Sequence, residues 1–238
     1  MIPIRDDTPR FSTPYITYFL IGLNTLIFVY EWLVQVQSPR ALNALIFEFG
    51  VIPYRVTAAL GGSPHYHFAG AFLPLLTSMF LHGSWLHILG NMWVLWIFGD
   101  NIEDYLGHFV YLMFYLVTGF AAAVTHIALN PGSTVPTVGA SGAIAGIMGA
   151  YFVLYPRARV LTIVPLIVFF TFWWLPAWIV LGYWFLVQFL SGTSTFIEQA
   201  SQGGGGVAFW AHVGGFVSGI VLIKLLPQRP HRNRYGTW

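Results

Sequence analysis

The chain has 238 residues and no cysteine. It is 57% hydrophobic and 8% charged, whereas an ordinary soluble domain is about 25% charged, so a water-exposed globular surface is excluded. A formal charge of +2 without a polar basic patch gives no reason to expect nucleic acid as a partner. Missing thiols exclude disulfides, thiolate catalysis and cysteine-held metals.

What remains is a polytopic membrane protein with lipid as its first partner, and its 21 Phe, 12 Tyr and 10 Trp suit the bilayer interfaces. Intervals free of Asp, Glu, Lys and Arg mark the spans, since crossing a bilayer takes about 20 apolar residues. Such intervals run from Arg10 to Glu31, Arg55 to Asp100, Asp104 to Arg157, Arg159 to Glu198 and Glu198 to Lys224. The third is split by the helix-breaking run NPGSTVPTVG at 130–139. The fourth opens on the strand-like VLTIVPLIVF, so it is expected to hold one helix, from about 170 to 190. Spans are expected near 15–35, 84–99, 105–129, 140–155, 170–190 and 208–226. The expected fold class is all-α, a six-transmembrane-helix bundle over 15–226. Residues 1–14 form a short N-terminal segment, and the basic tail 227–238 suits anionic headgroups. The stretch 39–83, with RALNALIFEFGVIPYRV and GGSPHYHFAG, is too apolar for a solvated loop and should lie partly in the interface.

Six spans put both termini on one side of the membrane. That side collects Arg5, Arg10, Arg157, Arg159, Lys224, Arg229, Arg232 and Arg234, against Arg40 and Arg55 on the other. The positive-inside rule makes the termini cytoplasmic. A secretory signal is not expected, because the first apolar stretch runs into Asn24 and Glu31 without a small-residue cleavage site.

Polar side chains at span level are costly and point to function. Helices two, four and six run the same way, and each opens with such groups: His82, His87 and Asn91 in HGSWLHILGN, Ser141 in GASG, and His212 in AHVGGFVSG. All should sit at similar depth near the outer face. Ser141, Ala145 and Gly149 make one stripe, and His212, Gly215 and Gly219 another. Small residues let membrane helices approach closely, which would bring the hydroxyl to the imidazole. A Ser–His pair acts by general-base activation of the serine. No carboxylate is placed to orient the histidine, because Asp100, Glu103 and Asp104 lie at the opposite face and Glu198 is expected in a loop. The Ser141 N–H, Asn91 and His87 are candidate donors to an oxyanion. Packing stripes with a capping serine, and a plain interhelical bond for Asn91, are the competing structural readings. A catalytic metal is disfavoured, with no H-E-x-x-H and no carboxylate near the histidines; His65 and His67 are left to the loop.

The patterns H-x4-H-x3-N at 82–91 and G-x-S-G at 139–142, with Ala211, His212, Gly215 and Gly219, resemble the rhomboid intramembrane serine proteases. GDNIEDYLG at 99–107, with Glu103 and Gly107, and SGAIAGIMGAYFVLYPRARV at 141–160 are similar too, the latter to bacterial forms. The resemblance implies Ser141 as nucleophile and His212 as base, with Asn91 and His87 stabilising the oxyanion. His82, Gly139 and Gly142 are then supporting residues, and Gly149, Gly215 and Gly219 serve helix packing. It further implies a serine endopeptidase that cuts transmembrane protein substrates without metal or cofactor, in a bacterial inner membrane. Helix five, with Phe170, Phe172, Trp173 and Trp174 at its start, would be a lateral gate. Water for deacylation would enter through an outward cavity lined by His82 and Ser84. The competing classes are a catalytically silent client-binding relative and a channel or transporter, which would need a polar path through the full thickness.

Overall fold

A computed structural model describes residues 1–166, 169–202 and 208–226. In chain order the elements are β1 (Ile2–Asp6), α1 (Tyr15–Gln37), α2 (Pro39–Phe49), α3 (Pro53–Leu60), α4 (Phe68–Phe72), α5 (Pro74–Thr77), a 3-10 turn (Ser78–Phe80), α6 (Trp85–Leu106), α7 (His108–Leu129), α8 (Ser141–Leu154), β2 (Arg159–Leu166), β3 (Phe169–Pro176), α9 (Ala177–Gln202) and α10 (Phe209–Leu225). The chain is predominantly helical, which corrects the all-α expectation: β1, β2 and β3 form one antiparallel sheet in that order.

Local chemistry sets the helix ends. Ser38 caps α2 by accepting from the Ala41 N–H at 3.3 Å, and Ser84 caps α6 through the His87 N–H at 3.2 Å. Prolines open α2, α3 and α5, where a missing N–H costs nothing. Gly107 alone separates α6 from α7. Its φ of +81° suits glycine, and its N–H closes on the Glu103 carbonyl at 2.7 Å.

The Glu103 side chain ties three helices. Its buried carboxylate accepts from the Ile16 N–H at 2.9 Å and the Thr17 N–H at 2.8 Å, at the start of α1, and from the Thr17 hydroxyl at 2.7 Å. The His108 imidazole of α7 also meets it at 2.6 Å. A carboxylate at a helix N-terminus satisfies orphan donors and matches the positive end of the dipole.

α8 is the central helix. Every residue from Gly142 to Tyr151 is buried, with α6, α7, α9 and α10 packed around it. Outward-facing positions on the surrounding helices are apolar instead: Leu26 on α1, Phe109 on α7, Leu190 on α9 and Leu225 on α10 are all well exposed. That inversion is a lipid-facing surface, and the protein is a multi-pass membrane protein. Among the described residues, α1, α7 and Ala177–Ser194 of α9 are each long and apolar enough to cross alone. α6 qualifies together with Phe68–Phe80, from which it is bent by 74°, while α8 and α10 have 14 and 17 residues.

The fifth long helix departs from expectation. It begins at Ala177, not near 170, and residues Phe170, Phe172, Trp173 and Trp174 belong to β3. Cross-strand pairs from Arg159↔Pro176 to Leu166↔Phe169 zip β3 onto β2, and β1 covers the other edge of β2 from Ile2↔Ile163 to Asp6↔Val160. Aromatic and β-branched residues favour this pleated pairing. α9 continues to Gln202, so Glu198 lies in helix, not in a loop. The tail 227–238 lies outside the described residues.

The stretch 39–83 folds against the loop before α8. Val51 and Thr137 form an isolated bridge, the Tyr54 N–H donates to the Ser133 carbonyl at 2.9 Å, and the Thr57 hydroxyl donates to the Pro131 carbonyl at 3.0 Å.

Candidate active site

The site starts from glycines. α8 and α10 meet along a seam where Gly215 faces the Gly142 carbonyl, Gly219 the Gly146 carbonyl and Gly149 the Phe216 carbonyl. A Cβ at any of these three glycines would collide with backbone, which cannot yield as a side chain can. The seam uses Gly142 and Gly146 on α8, each one position over from the expected Ser141 and Ala145, together with the expected Gly149; Ala145 still borders Gly215.

Close backbones bring the helix starts together. His212 Nε2 lies 2.7 Å from Ser141 Oγ, across 71 positions of sequence. Ser141 opens α8 and no side chain caps that end, so by helix geometry its N–H has no intrahelical acceptor. The second imidazole nitrogen, His212 Nδ1, lies 2.7 Å from Oε1 of Gln188 on α9. One turn earlier on that helix, the Trp184 ring lies 5.8 Å from the imidazole, centroid to centroid.

Other side chains converge from α6. Asn91, His87, Gly139, Ser141, Gly142 and His212 all border one cavity of about 640 Å³, together with Ser84, His126, Trp184 and Gln188. Gly139 has φ +131°, and a Cβ built there would sit 2.7 Å from His87 Nε2 and 3.5 Å from Ser141 Oγ. The imidazole of His87 and the serine hydroxyl therefore flank the same bare backbone. The Asn91 amide nitrogen, which can only donate, is 3.0 Å from His82 Nε2. His82 is buried behind Asn91, its N–H donating to the Glu31 carboxylate of α1 at 3.1 Å, and does not line the cavity as expected. His65 and His67 stand away from it.

The lining residues that were not anticipated include Gln188 and His126. Gln188 escaped because an orienting partner for His212 was sought only among carboxylates. Its signal is its isolation, as the only amide side chain between Ala177 and Leu190. His126, in the last turn of α7, lies within 3.1 Å of the Thr137 hydroxyl through Nε2 and ties that helix to the loop before Ser141.

Chemically, the arrangement offers a hydroxyl beside an imidazole acceptor, several N–H donors nearby and a cavity that admits water. A model of the Rhomboid domain matches residues 69–229. The chain is 29% identical over 175 residues to "Rhomboid-like protein 11, chloroplastic" of Arabidopsis thaliana, covering 69% of this chain and 56% of that protein. Over 90 residues it is 37% identical to the human "Presenilin-associated rhomboid-like protein, mitochondrial", which covers 36% of this chain and 23% of that one. "Rhomboid protease GluP" of Bacillus subtilis is 28% identical over 137 residues, or 58% of this chain and 24% of that protein. The chain thus spans little more than half of the first of these relatives and about a quarter of the other two.

Proposed function

Because the chain belongs to the rhomboid family, we propose that it is an intramembrane serine endopeptidase in which Ser141 is the nucleophile and His212 the general base. The observation that carries this reading is the 2.7 Å contact between His212 Nε2 and Ser141 Oγ at the wall of a cavity of about 640 Å³.

Ser141 Oγ attacks the scissile carbonyl carbon while its proton passes to His212 Nε2. The tetrahedral intermediate collapses as Nε2 returns that proton to the leaving amine, and an acyl-serine remains. Water entering the cavity gives a proton to Nε2 and attacks the ester, which frees the carboxylic product and restores the hydroxyl. The developing oxyanion takes hydrogen bonds from the Ser141 N–H, from His87 and from the Asn91 amide hydrogen not engaged by His82. Donors held in place before the reaction need no reorganisation when charge appears.

The six long helices are six spans, α8 and α10 crossing within the bundle, and both termini are cytoplasmic; the eight-to-two division of basic residues supports this orientation. Residues 15–226 make up the membrane domain, with 39–83 at its outer face. The compartment is a bacterial inner membrane, in keeping with the resemblance of residues 141–160 to bacterial forms. Substrates are transmembrane proteins, which reach the cavity past α9: Trp184 and Gln188 line the cavity, while Leu186 and Leu190 face outward.

Purified protein in vesicles, incubated with a panel of tagged single-span proteins, should cut at least one at a mappable bond. Ser141→Ala and His212→Ala should each abolish the cut while the protein stays folded. Because the two act as a unit, the double substitution should be no worse than either alone. Binding of clients without any cut by the unsubstituted protein would leave a catalytically silent client-binding protein as the reading.

A further inference from the structure

Histidine catalysis depends on which ring nitrogen holds the proton. A neutral imidazole has one donor and one acceptor, and Ser141 needs the acceptor to be Nε2. The other nitrogen must then carry hydrogen and find somewhere to give it. The carboxylates of α6 cannot serve. Glu103 is engaged at the start of α1 and Asp100 lies beside Arg10, both at the opposite end of that helix from Asn91.

Gln188 stands where a carboxylate would stand in a triad. Its Oε1 can only accept and lies 2.7 Å from His212 Nδ1, so Nδ1 is the protonated nitrogen and Nε2 offers its lone pair to the Ser141 hydroxyl at 2.7 Å. We propose that Gln188 is a positioning residue that fixes the tautomer and ring orientation of His212 through this hydrogen bond. The proposal rests on the Ser141–His212 reading and extends it to a third helix.

The amide suits the depth. An ionised carboxylate inside a bilayer is costly to keep, whereas a neutral amide pays less and still aims the negative end of its dipole at the imidazolium formed during attack. On α9 the neighbouring Val187, Phe189 and Leu190 are apolar and exposed, so a polar side chain at 188 needs a buried partner. Trp184, one turn away, packs near the same imidazole, so α9 meets the ring with both an indole and a hydrogen bond.

The test is the rate at which a fluorophosphonate labels Ser141 in the purified full chain, reconstituted in phosphatidylcholine vesicles and expressed per folded molecule. Gln188→Met keeps the length of the side chain but has no comparable acceptor, and Gln188→Glu keeps an acceptor. The expected result is labelling about 10–100-fold slower in Gln188→Met, the range found when a metal-bound histidine loses the partner that orients its ring. Gln188→Glu should retain most of the rate, and the unfolding midpoint of Gln188→Met should stay near that of the unsubstituted protein. Labelling of Gln188→Met at the unsubstituted rate overturns the proposal, and so does equal slowing by Met and Glu, which would signify packing alone. His212→Ala in parallel separates the two levels. If it is labelled at full rate, the dyad reading itself fails; if it is silent while Gln188→Met is unimpaired, only the role of Gln188 falls.

Discussion

The proposed mechanism gives Asn91 two hydrogen-bonding duties on one amide nitrogen. One N–H is held by His82 Nε2 at 3.0 Å; the residue also borders the cavity, where the second N–H would reach the oxyanion. Truncation should therefore do two things at once. Asn91→Ala should lower kcat by about 10²–10³ with KM little changed, as loss of a side-chain oxyanion donor does. It should also lower stability by about 1–3 kcal/mol, because a buried His82 acceptor is stranded. His82→Ala separates these duties: it should reproduce the stability loss, read from the unfolding midpoint, while kcat per folded molecule stays close to normal. An equal fall in kcat for His82→Ala would mean that Asn91 is only a strut. The convergence of these polar groups on one cavity was legible in sequence, since His87 and Asn91 share a helix face and parallel helices bring their starts together. The bond to His82 was not, because His82 lies outside the helix, where no periodicity fixes its direction.

At the scale of elements, the α8–α10 seam sets the spacing of the site. Gly215 is one turn from His212, whereas Gly149 is two turns into α8 from Ser141, yet each faces a carbonyl of the other helix. Gly215→Ala and Gly149→Ala should both destabilise by about 1–3 kcal/mol through overpacking. Their effects on fluorophosphonate labelling should differ, with Gly215→Ala slowing it more per folded molecule because the displacement falls beside the imidazole. Equal labelling rates would show that the seam does not govern the geometry of the pair.

Charge-free intervals located α1, α7, α8 and α10 closely, and the strand-like opening of the fourth interval was visible as such. The start of α9 was not. FFTFWW is apolar and aromatic, and a short apolar run reads equally as buried helix or strand. What decides is pairing with β2, itself sandwiched by β1 from more than 150 positions away. Such nonlocal pairing leaves no trace in a window. The far end of α9 was also missed, since SGTSTFIEQASQ is too polar to read as a span, though nothing stops a polar segment from continuing a helix.

For the whole molecule, Glu103 gathers the starts of α1 and α7 at the end of α6. Its replacement by Ala would leave the Ile16 and Thr17 N–H groups without their acceptor, the Thr17 hydroxyl with only the Tyr111 hydroxyl at 3.2 Å, and His108 without its carboxylate. Each buried donor left without its acceptor costs about 1–3 kcal/mol. Glu103→Ala should therefore lower the unfolding midpoint sharply although it lies at the far end of α6 from Asn91, whereas Glu103→Gln, which keeps one acceptor, should lose less. An unchanged midpoint in Glu103→Ala would remove Glu103 as the junction.

α8, at 14 residues, is about 21 Å long, well short of the roughly 30 Å of hydrocarbon in a bilayer. Being walled in by its neighbours, it never has to match that hydrocarbon. Stretching or thinning the surrounding lipid loads the outer ring of helices, which can tilt in response, while the hydroxyl and imidazole keep their separation across a seam that lipid does not touch. The bundle is a buried core inside a lipid-facing ring: under the proposed function, lipid composition would act on how a substrate is delivered, while the glycine seam shields the Ser141–His212 pair from it.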